Sequence, residues 1–386
     1  MFNENIDTKP NQKIQIFFQR NNDELLSPWE ISHFINQFSS NYYKNELLIS
    51  ISKALNSDIP AENIFILDDS FKINNSYSKL DIIDLNNGQD IKQLYHLGKP
   101  ISLYPNKKIY SINLIFYFFR TLNEIIYKLV HKRISKNSLE KFINSPANKD
   151  LSEIIKELRD LSYSFLQKRG IKETIEDIEK NYNSVLNRLT TFEKEQVEVD
   201  ILRDSFFVND YSLLKQDKYK RLESRYFTAF FREFNSNSRP IVGIYYPEIN
   251  QMQILCVNHI NKTKRDSRFL DLKQFSHNSP YIVEILVGIS IAMPLMKEIK
   301  FHLDEYKLKK KRMRLDDETA ILDRKLEEIY KGLETISIDK GLTVIENVQD
   351  EYLKTKIEET KNNNDMKINE PIKKYNFLLD NIVIKE

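Results

Sequence analysis

The stretch from Pro280 to Met296 reads PYIVEILVGISIAMPLM and is almost continuously apolar. Ser279 before it supplies an N-cap oxygen and Pro280 suits a first helical position, so the sequence predicts a helix that begins here. The run reaches only the lower limit, roughly 17 residues, of a membrane-spanning helix. Glu284 and Pro294 would be costly in lipid. We therefore expect a buried core helix, with a membrane-spanning or membrane-dipping segment as the alternative.

A cluster of basic residues, the basic collar, follows this apolar run. It consists of Lys307, Lys309, Lys310, Lys311, Arg312 and Arg314. Such a cluster favours contact with anionic lipid or with the phosphates of a nucleic acid. The alternative is a solvated helix face, the usual setting of a charge run. The collar is the predicted anion-binding site of the chain.

Apolar residues with heptad spacing follow the collar and form what we call the heptad seam. The seam consists of Leu315, Leu322, Leu326, Ile329, Leu333 and Ile336. This spacing predicts a long helix with one apolar edge. That edge either joins a second copy or another protein, or packs within the chain. The seam is the predicted protein-interaction site.

Composition limits the classes of function. Among 386 residues, 58 Lys and Arg nearly balance 56 Asp and Glu, so any anion site must be local rather than the product of a global field. The single cysteine, Cys256, excludes an internal disulfide and fits a reducing compartment. It lies in a strand-like apolar run, where we expect a buried thiol rather than a nucleophile.

Signatures of targeting and of cofactors are weak. The N-terminal residues lack the pattern of a secretory signal, so we expect a cytoplasmic location, with membrane association through residues 280–296 as the alternative. The seven glycines do not form a nucleotide-binding motif, and the six histidines lack metal-ligand spacing, so no cofactor and no metal is predicted. Glu248 has no lysine two residues later, which disfavours a nuclease-like site.

The N-terminal region predicts a strand and a capped helix. Residues 13–19 alternate as a strand, and Ser27-Pro28-Trp29-Glu30 forms a capping box for the helix that follows. We expect Trp29 to pack at this helix start. Near the other end of the chain, residues 375–384 predict a strand that pairs with a sheet edge or with a partner.

The middle of the chain predicts short strands and then helices. The strand candidates are 63–67, 79–85, 100–104 and 108–112, and the helix candidates are 109–130, 138–142, 151–166 and 171–192. An acidic run follows near Gln196, where we place a soft domain boundary; it is read as a solvated surface rather than a metal site. Residues 221–234 combine arginine with aromatic residues at helical spacing, which favours a core-facing stripe over base stacking.

Residues 240–246 and 252–260 predict a hairpin, and 268–275 a third strand. After the heptad seam, another helix is expected over 349–360, followed by a flexible spacer at 361–365. The predicted fold is α+β and predominantly helical, with small mixed sheets, a three-strand antiparallel unit and a long heptad helix. The predicted segments are 1–195, 196–300, 301–340 and 341–386.

The order of elements over residues 268–336 resembles that of a group of uncharacterised bacterial proteins. In both, a strand, Asn278-Ser279-Pro280, an apolar helix and a charged helix follow one another, and Glu284-Ile285 adds to the likeness. The resemblance implies no activity. Proteins of this kind often belong to accessory or conflict-related genes, which makes a bacterial defence system the biological setting that the resemblance implies.

Two functions are compatible with these patterns. The first is a non-enzymatic interaction or assembly protein that uses the apolar helix, the basic collar and the heptad seam to contact a protein partner, a second copy or a membrane surface. The second is a nucleic-acid-binding protein, or a nuclease-like enzyme of unrecognised type, in which the collar and the basic segment 262–268 contact phosphate. Whether the protein is an enzyme stays open at this stage.

Overall fold

A computed structural model describes residues 13–20, 26–71, 80–144, 150–260, 270–276, 281–288, 295, 324, 327–328, 330–331 and 343–385. The described elements are, in chain order, β1 (Lys13–Arg20), α1 (Pro28–Asn56), β2 (Ile64–Ser70), β3 (Ile82–Asp84), α2 (Gly88–Leu97), β4 (Pro100–Ser102), α3 (Lys107–Val130), α4 (Leu139–Ile143), α5 (Leu151–Gln167), α6 (Glu176–Phe207), α7 (Asp217–Leu222), α8 (Ala229–Ser236), β5 (Pro240–Tyr246), β6 (Gln251–Ile254), α9 (Val257–Ile260), β7 (Leu270–Ser276), β8 (Tyr281–Gly288), α10 (Thr343–Glu346), α11 (Glu351–Lys374) and β9 (Leu378–Lys385). The predicted class, α+β and predominantly helical, is confirmed.

The chain divides into two compact units. Unit 1 contains Met1–Asp58, Cys256–Gln349 and Leu353–Glu386, and unit 2 contains Ile59–Leu255 and Asp350–Tyr352. These units differ from the four segments that the sequence suggested. In particular, α6 continues through Gln196, so no described element ends at the boundary placed there.

A four-stranded antiparallel sheet organises unit 1. Its strand order is β7-β8-β1-β9, so β1 pairs with β8 on one side and with β9 on the other. The predictions of strands near 13–19 and 375–384 are therefore confirmed, and the second strand pairs within the chain. On β1, Ile16 and Phe18 are fully buried. The Phe18 ring makes edge contacts with Phe34 and Phe38 of α1.

The prediction of a helix over residues 280–296 is wrong for its first half, because Tyr281–Gly288 forms strand β8. The segment is rich in Ile and Val, whose branched side chains favour a strand, and β8 has a neighbouring strand on each side. A continuous apolar run of this kind is typical of an interior strand as well as of a buried helix. Glu284 accepts a hydrogen bond from the Gln15 side chain on β1.

Helix α1 begins with the predicted capping box. The Ser27 hydroxyl accepts a hydrogen bond from the Glu30 amide, and the Glu30 carboxylate accepts one from the Ser27 amide. Trp29, by contrast, is 83% exposed, so the prediction that it packs at the helix start is wrong. The pattern predicted for this helix continues to Asn56, as the sequence indicated.

The second half of α1 is buried, and α11 supplies partners for its polar side chains. The Asn364 side chain donates to the backbone carbonyl of Asn41 and to Oδ1 of Asn45, both at 2.6 Å. The Asn45 side chain donates to the Asp365 carboxylate at 3.0 Å. Lys361 forms a buried ion pair with Asp365 at 2.8 Å. The prediction of a flexible spacer at 361–365 is therefore wrong, because these residues lie inside α11.

A five-stranded antiparallel sheet lies in unit 2, in the order β3-β6-β5-β2-β4. The predicted hairpin is confirmed as β5 and β6, with a shorter second strand. The predicted third strand exists as β7, but it pairs with β8 in unit 1 rather than with the hairpin. Cys256 follows β6 in a turn and is buried, as expected of an unreactive thiol.

Helices cover the rest of unit 2. Helix α3 confirms the helix expected at 109–130, but the strand candidate at 108–112 is wrong because those residues form its first turns. The phenylalanines of the aromatic stripe over residues 221–234 face the core as predicted, with Phe227, Phe230 and Phe234 fully buried and Arg232 exposed, whereas Tyr226 is half-buried. No helix in the described parts of the chain is both long and apolar enough to cross a membrane.

We expect Phe18→Ala to lower the free energy of unfolding by about 3–5 kcal/mol, because it removes a fully buried ring from unit 1. Trp29→Ala is the matched control. It removes a larger ring that is 83% exposed and should change stability by no more than about 0.5 kcal/mol. Urea unfolding followed by circular dichroism measures both. Equal losses in the two variants would contradict the packing described for β1 and α1.

The buried side chain of Lys44 should make the free energy of unfolding depend on pH. Burial, reinforced by the charge of Lys367, lowers the pKa of Lys44 to about 8. As the pH falls below the ordinary lysine value, the unfolded chain therefore takes up a proton that the folded chain does not, and the free energy of unfolding decreases until about pH 8. Lys44→Met should stabilise the protein by roughly 2–3 kcal/mol at pH 7, and this gain should vanish near pH 11. A gain that does not depend on pH would contradict the assignment.

Candidate functional site

The structure does not bring the predicted site residues together. All six residues of the basic collar and all six of the heptad seam lie outside the described residues. Between the seam positions, Arg324, Glu327, Glu328 and Lys331 are helical and exposed, and Tyr330 is helical and half-buried. Polar exposed residues at these places are compatible with the heptad pattern. Self-association through the seam and anion binding by the collar stay predictions.

A cleft in unit 2 combines several features of a binding site. It has a volume of about 930 Å³, which is within the usual range of small-molecule pockets. Its walls come from β4, α3, α6 and the segment from residue 225 to α8. The lining includes Lys180, Arg188, Arg225 and Arg232, and none of the described lining residues is Asp or Glu.

One face of α6 supplies a polar stripe along the cleft. The stripe consists of Lys180, Asn183, Ser184, Asn187, Arg188 and Thr191, which recur every three or four residues and therefore share a side of the helix. The opposite side carries the buried residues Ile178, Val185 and Leu189. Packing of this apolar side fixes the rotation of α6 and points the polar stripe into the cleft.

Aromatic rings form part of the cleft wall. Tyr110 of α3 stacks on Phe192 of α6, with 3.9 Å between ring centroids and 12° between planes. Tyr226 meets the edge of the same phenylalanine at 5.8 Å. The Tyr110 hydroxyl donates a hydrogen bond to the carbonyl of Arg188 at 3.2 Å. These contacts connect α3, α6 and the segment before α8 at one point.

The residues Glu223–Phe227 form a π-helical turn between α7 and α8, a feature that occurs frequently at functional sites. It presents two neighbouring residues to one carboxylate of α6. Arg225 Nη1 lies 2.6 and 2.7 Å from the two oxygens of Glu195, and the Tyr226 hydroxyl donates to the same group at 2.7 Å. Glu195 therefore positions Arg225 beside the cleft and also occupies part of its hydrogen-bonding capacity.

The other cations of the cleft are more accessible. Lys180 and Arg188 are exposed, and neither forms an ion pair with a described residue. The Arg188 guanidinium lies 4.4 Å from the ring centroid of Tyr117, which holds it by a cation–π contact without neutralising it. Arg232 lies 3.9 Å from its neighbour Glu233, the upper limit for an ion pair. The cleft thus keeps a net positive charge.

Burial raises the pKa of the Tyr110 hydroxyl and that of the Tyr226 hydroxyl, although Arg188 and Arg225 oppose the change at Tyr110. The Glu195 carboxylate adds to the increase at Tyr226. Both groups therefore stay protonated at neutral pH and carry no charge of their own. The charge of the cleft at that pH comes from its lysine and arginine side chains.

A second, more open depression adjoins the cleft. It measures about 700 Å³ and is lined by Asp217, Lys220, Arg221, Ser224, Arg225 and Arg232. Arg225 and Arg232 belong to both depressions. We call the enclosed part the inner cleft and the open part the outer groove.

The described part of the chain contains no group of three His, Cys, Asp or Glu side chains placed to hold a metal ion. The acidic residues near Gln196 act instead as ion-pair partners. Glu195 pairs with Arg225, and Glu198 pairs with Lys218 at 2.8 Å. Both carboxylates are partly exposed on the surface of α6.

No protein-family model, curated protein or solved structure matches the chain. The resemblance to bacterial proteins seen in the sequence therefore receives no support from these comparisons. Part of its pattern also disappears in the structure, because the segment after Asn278-Ser279-Pro280 is strand β8 rather than a helix.

Sequence analysis missed this cleft. The signal was present in α6, where Lys, Asn, Ser, Arg and Thr follow a helical repeat opposite the apolar residues. A polar stripe of this kind is also typical of any solvated helix face, so it carries little information alone. The contributions of β4 and α3 could be recognised only once the fold had brought Pro100 and Tyr110 beside it.

Proposed function

We propose that unit 2 binds a phosphate-bearing ligand in the inner cleft, through Lys180, Arg188, Arg225 and Arg232. Guanidinium groups form two parallel hydrogen bonds with phosphate, and such charge-assisted bonds are stronger than neutral ones. Amide and hydroxyl groups of Asn183, Asn187 and Ser184 offer further donors along the same wall. The proposal belongs to the binding class and requires no catalytic group.

The segregation of charge carries this proposal. The whole chain is nearly neutral, with 58 basic and 56 acidic residues, so a random surface depression would contain both signs. The inner cleft instead contains four cations, and none of its described lining residues is acidic. Glu195 pairs with Arg225 from outside that lining, which leaves Lys180 and Arg188 without an acidic partner among the described residues. Placing like charges together costs free energy unless an anion neutralises them. An anionic ligand is the simplest occupant that offsets this cost.

The interaction function favoured by the sequence stays a separate proposal. It rests on the heptad seam at 315–336 for self-association or a protein partner, and on the basic collar for an anionic membrane surface or a nucleic acid. A role in a bacterial accessory or defence system also stays a proposal. The described lining residues of the inner cleft all lie in unit 2.

Arg188→Gln should weaken the binding of inorganic pyrophosphate at least about tenfold, because a charge-assisted hydrogen bond contributes roughly 1.5–3 kcal/mol. Arg169→Gln is the matched control, since Arg169 is also exposed and also lies over an aromatic ring, 3.5 Å from the centroid of Phe165, but does not line the cleft. Isothermal titration calorimetry at low salt measures both. Absence of pyrophosphate binding by the unaltered protein, or equal losses in the two variants, would refute the proposed function.

Glu195→Gln should strengthen pyrophosphate binding about two- to fivefold. The substitution removes the negative charge that pairs with Arg225, and an exposed ion pair contributes up to about 1 kcal/mol. Glu198→Gln is the control one helical turn away, because Glu198 pairs with Lys218, which lines neither depression. The same titrations apply. Weaker binding by Glu195→Gln would mean that the loss of Arg225 positioning lowers the affinity for pyrophosphate more than the removal of the competing negative charge raises it.

A further inference from the structure

The inner cleft and the outer groove adjoin each other, because Arg225 and Arg232 line both. We call the two depressions together the track. Lys220 and Arg221 extend the positive charge along the groove, where Asp217 is the one acidic residue in the described lining. The track is therefore longer than the cavity that a single small ligand would fill.

The length of the track distinguishes between kinds of phosphate ligand. A cavity of about 930 Å³ accommodates a nucleotide-sized molecule by itself. Lys220 and Arg221 of the outer groove would then contact no part of that molecule. A ligand with regularly spaced phosphates would use both parts, because every cation along a polyanion can displace a condensed counterion.

The aromatic wall favours unpaired bases. Tyr110 and Tyr226 line the inner cleft as half-buried rings, and one face of Tyr110 is covered by Phe192. Bases stack on the remaining ring surface only when they are free of a duplex. The exposed Asn183 and Asn187 lie on the same wall, and side-chain amides can bond the edges of unpaired bases. Base stacking combined with a basic groove is the usual means by which proteins hold single strands.

We infer that the ligand of unit 2 is a single-stranded nucleic acid, with at least one base in the inner cleft and the continuing phosphates in the outer groove. This inference rests on the proposed function. It adds the class of ligand and the path of the strand from the inner cleft to the outer groove. The occupant contacts Arg225 and Arg232 at the junction of the two depressions. Either RNA or DNA supplies this chemistry.

Fluorescence anisotropy with labelled oligo-dT and oligo-U of one, two, four and eight nucleotides tests the inference on the full chain. We expect affinity to increase at least tenfold from one nucleotide to about four, the lower end of single-strand site sizes, and to exceed that for a duplex of equal length. The DNA and RNA series together show which sugar is preferred. Affinity that does not depend on length, or that is equal for the duplex, would overturn the inference.

The variant Lys220→Gln/Arg221→Gln locates the strand. It should remove most of the gain in affinity that comes with a longer oligonucleotide. It should also reduce the slope of log affinity against log salt concentration by about 1.4, since each phosphate contact on a single strand contributes about 0.7. Mononucleotide affinity should stay within about twofold. Lys168→Gln/Lys172→Gln removes two exposed lysines of the same unit that line neither depression, and it should behave as the unaltered protein. Equal effects of the two double variants would overturn the inference.

The two proposals fail in different ways. If pyrophosphate and mononucleotides bind and depend on Arg188, but chain length has no effect, the proposed function stands and the single-strand inference falls. If the unaltered protein does not bind pyrophosphate, the proposed function itself falls, and the inference that rests on it falls as well. Circular dichroism of each variant ensures that loss of binding is not loss of folding.

Discussion

Unit 1 depends on the pairing of polar groups that α1 carries into the interior. Asn41 and Asn45 lie in a part of this helix that is buried, where unpaired amides would cost about 1–3 kcal/mol each. Helix α11 satisfies them, because the Asn41 side chain donates to the Lys367 carbonyl and the Asn45 side chain pairs with Asn364 and Asp365. Lys361 neutralises the Asp365 carboxylate. Hydrogen bonds with this geometry restrict the rotation and register of the two helices more narrowly than apolar packing does. The interaction therefore helps to select one arrangement of α1 and α11.

Unit 2 uses a different principle to build its cleft. Helix α6 divides its surface into an apolar side, which packs, and a polar side with Lys180 and Arg188, which faces the cavity. Its later turns carry carboxylates, and one of them, Glu195, orients Arg225 across the cleft. A single helix thus provides both attraction for an anion and control over a neighbouring cation. The chemistry of the site follows from the order of residues along this one element.

The sequence predicted elements well where local signals and tertiary environment agree. The capping box at Ser27 and the hairpin of β5 and β6 are examples, because both depend on contacts between residues close in the chain. The prediction for β8 was wrong because a buried apolar run suits a helix or an interior strand, and its neighbours β1 and β7 decide between them. The spacer predicted at 361–365 was wrong because asparagine-rich sequence becomes helical when α1 pairs its side chains. The cleft required the convergence of β4, α3 and α6, which no local pattern contains.

The sheet of unit 1 also has a consequence for the order of folding. Strand β1 precedes every other described element during synthesis, whereas its two partners, β8 and β9, follow after nearly all of unit 2 has been made. Until then, both edges of an apolar strand are without their partners, and such edges are prone to pair with other chains. Pairing between strands that are so far apart in the sequence is also slow. The ribosome-bound chain is therefore prone to aggregate during a period in which most of unit 2 has been made but the sheet of unit 1 cannot yet close.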